Sequence, residues 1–386
     1  MRFHILLAGG VAVLCYIFVQ YYILKHIVSL YHTDPHSLGD QTLWGLSIGI
    51  SLFTLFCMAS GAILPHIPIL QKGFLLMGAI ALGVQTTCLM LFLGADLLQL
   101  LLRLLPKGNR MQTFLAGFRY WSLLLMLITG IVTSYGIFNA ERLSVTEYHI
   151  QIEKPMETPL RIVLLSDQHE GTALLPSHLK RTVALANQQQ PDLILLAGDL
   201  FDENSTIRQQ QDAYATLSAL QAPLGVYYVY GNHEHSHKEN DKIRTALEAI
   251  GITVLEDSHH ILANKLILVG RKDASEERMP LSTLLQGTDP TLPLLLMDHQ
   301  PTQLQEAASL GVDLQVSGHT HGGQIAPGGL LSAIRNEATY GLYRNGAYHL
   351  IVSSGSGVWG VPFRTARHSE IVSITLSGSE YETASL

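Results

Sequence analysis

Five short segments carry side chains that can bind metal ions: Asp167-Gln168-His169, Gly198-Asp199, Gly231-Asn232-His233-Glu234, Asp298-His299 and Gly318-His319-Thr320-His321. Together they offer carboxylates, neutral imidazoles and an amide carbonyl. This set suits a pair of divalent cations, because one carboxylate can bridge both ions while imidazole and carbonyl ligands complete each shell without over-neutralising it. Two such cations about 4 Å apart generate hydroxide near neutral pH and neutralise phosphoryl oxygens, which is what the hydrolysis of an anionic phosphate ester requires. Asp167 and His169 stand two apart, as do His319 and His321, so in extended backbone each pair projects to one side. Asp199 is the natural bridge, Asn232 offers its carbonyl oxygen, and His299 comes from a later strand. Gly198, Gly231, Gly318, Gly322 and Gly323 allow sharp turns and close approach to the ions.

Each segment follows an apolar run that reads as a buried strand: 161–166, 192–197, 226–230, 292–297 and 313–317. A strand that ends in a ligand holds it on a rigid element, and the loop beyond gathers the ligands at one edge of a sheet. Taken alone, an Asp-X-His or Gly-Asn-His is often only a turn. The argument rests on the order of all five, each after a strand.

The chain has 386 residues, 47% of them hydrophobic and only 14% charged. Residues 1–140 hold seven Lys/Arg and three Asp/Glu, and the remainder holds 17 and 28, a formal net charge of −11 for that part. The shift places a boundary near Ala140. Before it, four apolar stretches are each long enough to cross a bilayer as helices, at 5–24, 43–64, 74–95 and 120–138. The first is too long for a cleaved signal peptide, and three more follow it. Asp96 ends the third stretch, and 97–105 reads as an amphipathic extension carrying Arg103, which places Asp96 near the interface.

Lys25, Arg103, Lys107, Arg110 and Arg119 lie on the first and third connections, and Arg2, Lys72, Arg142 and Lys154 on the other side. By the positive-inside rule this puts both termini, and the C-terminal domain, outside the cytoplasm of a multi-pass cell-membrane protein. Cys15, Cys57 and Cys88 all fall in predicted spans, so the C-terminal part has no disulfide framework. Its acidic balance offers no basic stripe for nucleic acid. Residues 141–160 read as a polar connection containing a first strand at 146–152.

The five segments in this order resemble the calcineurin-like metallophosphoesterase superfamily over residues 160–377. Gly318 to Gln324, the Gly-rich stretch 353–360 and Pro362-Phe363-Arg364 resemble its bacterial YkuE-type branch, many members of which carry N-terminal membrane segments. The resemblance implies an α/β fold for 161–386, a two-sheet sandwich flanked by helices, here preceded by a four-helix transmembrane domain. It implies one metal held by Asp167, His169, Asp199 and His321 and a second by Asp199, Asn232, His299 and His319. His233 is then a general acid toward the leaving oxygen, and Asn232 also holds a phosphoryl oxygen. The metals are manganese, iron or zinc. Gln168 stands where relatives commonly have leucine and is expected on the substrate side. His368-Ser369-Glu370-Ile371 departs from a more usual Pro-Glu-Ile before the last strand.

Several neighbours read as structural. His235 and His237 are loop residues, and His259 and His260 form a turn before a strand at 261–269. Asp202 and Glu203 orient histidines or sit on an exposed loop, Asp298 packs or caps, and Glu234 holds its loop. The expected activity is a membrane-anchored binuclear-metal phosphohydrolase, cleaving a phosphodiester, phosphomonoester or pyrophosphate by means of a metal-bridging hydroxide. Membrane lipids are expected partners, the substrate class includes lipid-linked phosphates, and nucleic acid is not expected. The alternative is a membrane sensor or scaffold that keeps the domain as a binding module, a role in which a bridging Asp or a His is usually lost.

Overall fold

The computed structural model describes residues 2–28, 39–63, 67–102, 104, 121–171, 173–202, 205–237 and 240–379. They form two compact units, Met1–Gly136 and Ile137–Leu386.

The first unit is built from helices α1 (Arg2–Val28), α2 (Asp40–Ile63), α3 (Pro68–Leu102) and α4 (Trp121–Glu141), and the end of α4 belongs to the second unit. All four are long and apolar enough to cross a membrane. The extension expected beyond residue 95 is helical as far as Leu102, in one helix with the third stretch. Asp96 is accommodated within it by partners on α1: Tyr22 Oη donates to its carboxylate at 2.6 Å, and His26 Nε2 lies 3.2 Å away. Arg103, Lys107, Arg110 and Arg119, used in the orientation argument, lie outside the described residues.

The second unit contains two six-stranded sheets. The first runs β1 (Leu143–Ile152), β12 (Ser369–Gly378), β2 (Leu160–Leu165), β3 (Leu193–Ala197), β4 (Val226–Val229) and β5 (Ile252–Val254). The second runs β10 (Gly341–Asn345), β11 (Tyr348–Val352), β9 (Leu314–Ser317), β8 (Leu294–Met297), β7 (Leu266–Gly270) and β6 (Ser258–Leu262). Strands β2 to β5 are mutually parallel, as are β7, β8, β9 and β11. All five predicted ligand-bearing strands are therefore parallel strands of one sheet or the other.

Alternation along each strand builds the layers. Ile162, Leu164, Leu193 and Leu195 from the first sheet pack with Leu268, Leu295, Met297 and Val316 from the second in a core between the sheets. Val163, Leu165, Ile194 and Leu196 face the other way, onto α5 (His178–Gln188), α6 (Ile207–Leu217) and, beyond α7 (Asn232–His237), α8 (Asn240–Ala249). Ile267, Val269, Leu294 and Leu296 pack outward with α9 (Leu281–Leu284) and α10 (Leu304–Ser309). Burial on both faces is why these strands read as unbroken apolar runs.

Two sequence expectations change. The single strand expected at 261–269 is an antiparallel hairpin, β6–β7, so His259 and His260 lie in a strand rather than a turn. The turn is at Ala263 and Asn264, which adopt left-handed backbone (φ 48° and 55°) within an otherwise apolar stretch. The first strand begins at Leu143 rather than 146, directly after α4, so the polar connection before it shrinks to Arg142.

Candidate metal centre

Each candidate ligand sits just past the C-terminal end of its strand, where the chain turns sharply. Asp167, His169, Asp199, His319 and His321 all have positive φ, between 45° and 72°. Left-handed backbone costs a non-glycine residue about 1–2 kcal/mol. Such outliers persist only where the surroundings over-determine them, and they gather at functional sites. Two glycines make the close approach possible: a Cβ on Gly231 would overlap the Asp199 carboxylate, and one on Gly318 would overlap Asp167 and Ser166.

The seven candidate ligands converge. Ligand atoms of Asp167, His169 and His321 lie within 4.8 Å of one another, as do those of Asp199, His299 and His319. Asp199 links the groups, with its Oδ2 3.1 Å from His299 Nε2 and 3.7 Å from His169 Nε2. His169 and His321 bring their Nε2 atoms to 3.1 Å, and Asn232 Oδ1 lies 2.8 Å from His319 Nδ1. His169, Asp199 and His233 also fall within 4.8 Å. His233 is the outlier of that trio: its Nε2 is 4.0 Å from Asp199 Oδ2, its side chain is 14% exposed, and its ring lies 5.6 Å from that of half-exposed Trp359.

The electrostatics show an anionic centre among imidazoles. Burial would raise the Asp199 carboxyl, but His299 first, then His169 and His233, hold it well below the usual range. Burial works against a charge on His299, yet Asp199 pushes its pKa well above the ordinary value. Burial raises Asp167 to about 6, with Asp199 adding to the effect. Burial lowers His319 to about 4 and drives His321 well down, helped by neighbouring imidazoles. The donor set fits divalent cations. His299 Nδ1 lies 2.7 Å from Ala197 O and can donate to it, leaving Nε2 to face the Asp199 carboxylate as a ligand atom.

Supporting residues hold these turns. Glu234 is fully buried and accepts from the backbone N–H groups of Gly231, Asp199, Leu200 and Phe201 at 2.6–3.2 Å. The loop-holding role expected of Glu234 thus spans two turns. The Asp199 Oδ1 accepts from His233 N at 3.0 Å, and Asp167 accepts from His319 N at 2.9 Å. Asp298 is fully buried, receives Arg278 through both oxygens at 3.1 and 3.0 Å, and is raised by burial to about 7. Gln168 is 3% exposed with neither amide atom hydrogen-bonded, so it does not line an open substrate face. Asp202 is buried, Glu203 lies outside the described residues, and His235 and His237 belong to α7 rather than a loop.

Sequence reasoning gave no role to Arg364, although it noted the Pro-Phe-Arg motif. Its guanidinium is fully buried and donates to the carbonyls of His321, Ser354, Gly355 and Gly357 at 2.6–3.3 Å. Of the departing segment His368 to Ile371, residues 369–371 already belong to β12, and Glu370 accepts from Ser354 N at 2.8 Å and from Tyr340 Oη at 3.2 Å, and pairs with Thr146 Oγ1.

Residues 160–323 match the family described as "Calcineurin-like phosphoesterase". The chain is similar to a "Transmembrane protein with metallophosphoesterase domain" of Danio rerio, 31% identical over 316 residues that cover 76% of this chain and 72% of the relative. An "Uncharacterized metallophosphoesterase" of Helicobacter pylori is 34% identical over 61% of this chain and 64% of its own length. The metallophosphoesterase YkuE of Bacillus subtilis is 29% identical over 57% of this chain and 79% of its own.

Proposed function

The chain belongs to the calcineurin-like metallophosphoesterase family, and on that premise we propose that it is a membrane-anchored phosphohydrolase working with two divalent cations. One observation carries the reading: seven candidate ligands from five separate strand ends gather into two adjoining groups linked by the buried carboxylate of Asp199. Asp167, His169, Asp199 and His321 would hold one ion, and Asp199, Asn232, His299 and His319 the other. The mixed imidazole, carboxylate and amide set suits manganese, iron or zinc. Bound there, the ions supply positive charge against phosphoryl oxygens and lower the pKa of bound water.

The protein's own groups supply the rest. The Asn232 amide orients a phosphoryl oxygen. His233 stands at the edge of the ligand cluster with part of its ring open to solvent. A proton on its Nε2 can pass to the leaving-group oxygen as the P–O bond breaks. Glu234 fixes the turns carrying Asp199 and His233, and Arg364 fixes the turn carrying His321.

The apolar helices support a substrate at or near a bilayer, such as a phospholipid or another lipid-linked phosphate or pyrophosphate. The Lys/Arg distribution supports a place for the catalytic unit on the outer side of a cell membrane. No ligand is missing from the set, which counts against a pure binding module. The test is a hydrolysis screen of the purified full chain, stripped by chelator and reloaded with each metal, on soluble diesters and on lipid phosphates in vesicles. Restored turnover with at least one metal is expected. Stoichiometric metal without turnover on any class would favour the sensor or scaffold reading.

A further inference from the structure

We propose that helix α11 (Gly328–Arg335) docks on the surface of a phospholipid bilayer beside the candidate metal centre. None of its residues is buried, and Leu330, Leu331 and Ile334 are 70%, 68% and 82% exposed. Spacings of three and four place these side chains on one face. Beyond α4, the other exposed aliphatic or methionine side chains of this unit, Leu175, Ile207, Ile261 and Met279, are far apart in sequence, and single exposed apolar residues need no explanation. Three together on one short helix form a contiguous apolar patch that water does not favour.

Chain connectivity argues for lipid as the occupant. The unit enters the sequence straight from α4, a helix of bilayer-spanning length, with Arg142 alone between α4 and β1. A tether that short keeps the unit at the bilayer surface. The net charge of −11 for residues 141–386 leaves apolar burial, not attraction to anionic headgroups, as the driving force. The patch also adjoins the chemistry. Residues 321–323, which begin with His321, pack against the start of α11 through Gly323 and Gly328. Gln324 then holds Trp359 through both its backbone N–H and its C=O at 3.0 Å. Trp359, half-exposed, stands next to His233. An element resting in the headgroup layer here would present lipid phosphates to the site from the side. The inference rests on the membrane-anchored reading, not on the identity of the substrate.

The experiment uses the full chain, one copy per phosphatidylcholine nanodisc, with a single environment-sensitive fluorophore on a cysteine. The labelled positions are Leu331→Cys and Ile334→Cys with Cys15, Cys57 and Cys88 changed to Ala, Lys265→Cys in the same background as the aqueous control, and native Cys15 on α1 as the bilayer control. Nitroxide lipids should quench the Leu331 and Ile334 labels at a depth of about 5–10 Å, as for an interfacial helix, and leave Lys265 unaffected. If both labels match Lys265 while Cys15 is quenched, the docking inference is overturned and the anchor stands. If Cys15 also escapes quenching, the anchor reading falls, and the inference with it. A blue shift at Leu331 without lipid quenching would mean that protein covers the face, which likewise overturns it.

Discussion

In the helices of the first unit, several serine and threonine hydroxyls bond one turn back along their own helix. Ser47 donates to Leu43 O at 2.7 Å, Thr54 to Ile50 O at 3.0 Å, Thr86 to Leu82 O at 2.8 Å and Thr129 to Leu125 O at 2.9 Å. In the second unit the deciding bonds join residues far apart in sequence: Glu234 ties Gly231 to Asp199 and Leu200, and Arg364 reaches back to His321. The difference follows from solvent. In lipid no water satisfies a stray polar group, so a hydroxyl on a long apolar helix closes onto its own backbone, while a longer-range charge such as Asp96 needs partners on a neighbouring helix. The candidate metal centre must hold buried carboxylates, imidazoles and strained turns together, which calls for long-range bonds from a rigid scaffold. A local bond can be lost alone, whereas a long-range bond takes a whole turn with it.

The largest effect should come from the most connected residue. Asp199→Asn removes the charge shared by both ligand groups, so metal content should fall and turnover should drop to near background. Elemental analysis alongside an ester assay checks this, and both ions retained with near wild-type turnover would break the two-ion reading. Next is His233, at the edge of the cluster. His233→Ala should keep its metals yet slow hydrolysis by about 10²–10⁴-fold, the range for general acid–base help. The loss should shrink for good leaving groups, which need no proton. Equal losses for good and poor leaving groups would remove the general-acid role.

A smaller effect sharpens the same contrast at a distance. Arg364 acts through the turn it holds and is a positioning residue, its fork spread over four carbonyls. A lysine presents one point charge and cannot span them. Arg364→Lys should weaken metal binding by about 10–100-fold, as outer-shell changes do, with saturating metal restoring most of the turnover. Chelator competition measures the affinity, and unchanged affinity would show that the loop holds its shape without this bond.

How much was legible before the fold was known follows the same division. Strands β2, β3, β4, β8 and β9 were readable because parallel strands buried on both faces leave unbroken apolar runs. The candidate ligands were readable because they come in short spaced pairs just beyond those strands. The hairpin turn at Ala263 and Asn264 was hidden because only Asn264 and Lys265 interrupt a long apolar run, and the bend lies in two backbone angles. The partners of Asp96 were hidden because Tyr22 and His26 lie some seventy residues earlier. Arg364 escaped for the same reason: nothing near it in sequence announces a carbonyl cage that includes His321. Local patterns were visible, and partnerships across the chain were not.

The smallest prediction tests the other side of the comparison. Thr86 is closed by a carbonyl four residues back on its own helix, and no candidate ligand lies in that unit. Thr86→Val keeps the shape and removes only the hydroxyl, so the freed carbonyl keeps its ordinary helical bond. Side-chain hydrogen bonds in membrane helices average about 0.6 kcal/mol, so the full chain in detergent should unfold at nearly the same temperature. Metal affinity and turnover on a soluble ester should not change. Thermal unfolding and chelator competition on the same preparation read both. A clear loss of metal affinity from so local a change would mean that the helices bear on the site, and the division between local and long-range bonding would no longer describe this molecule.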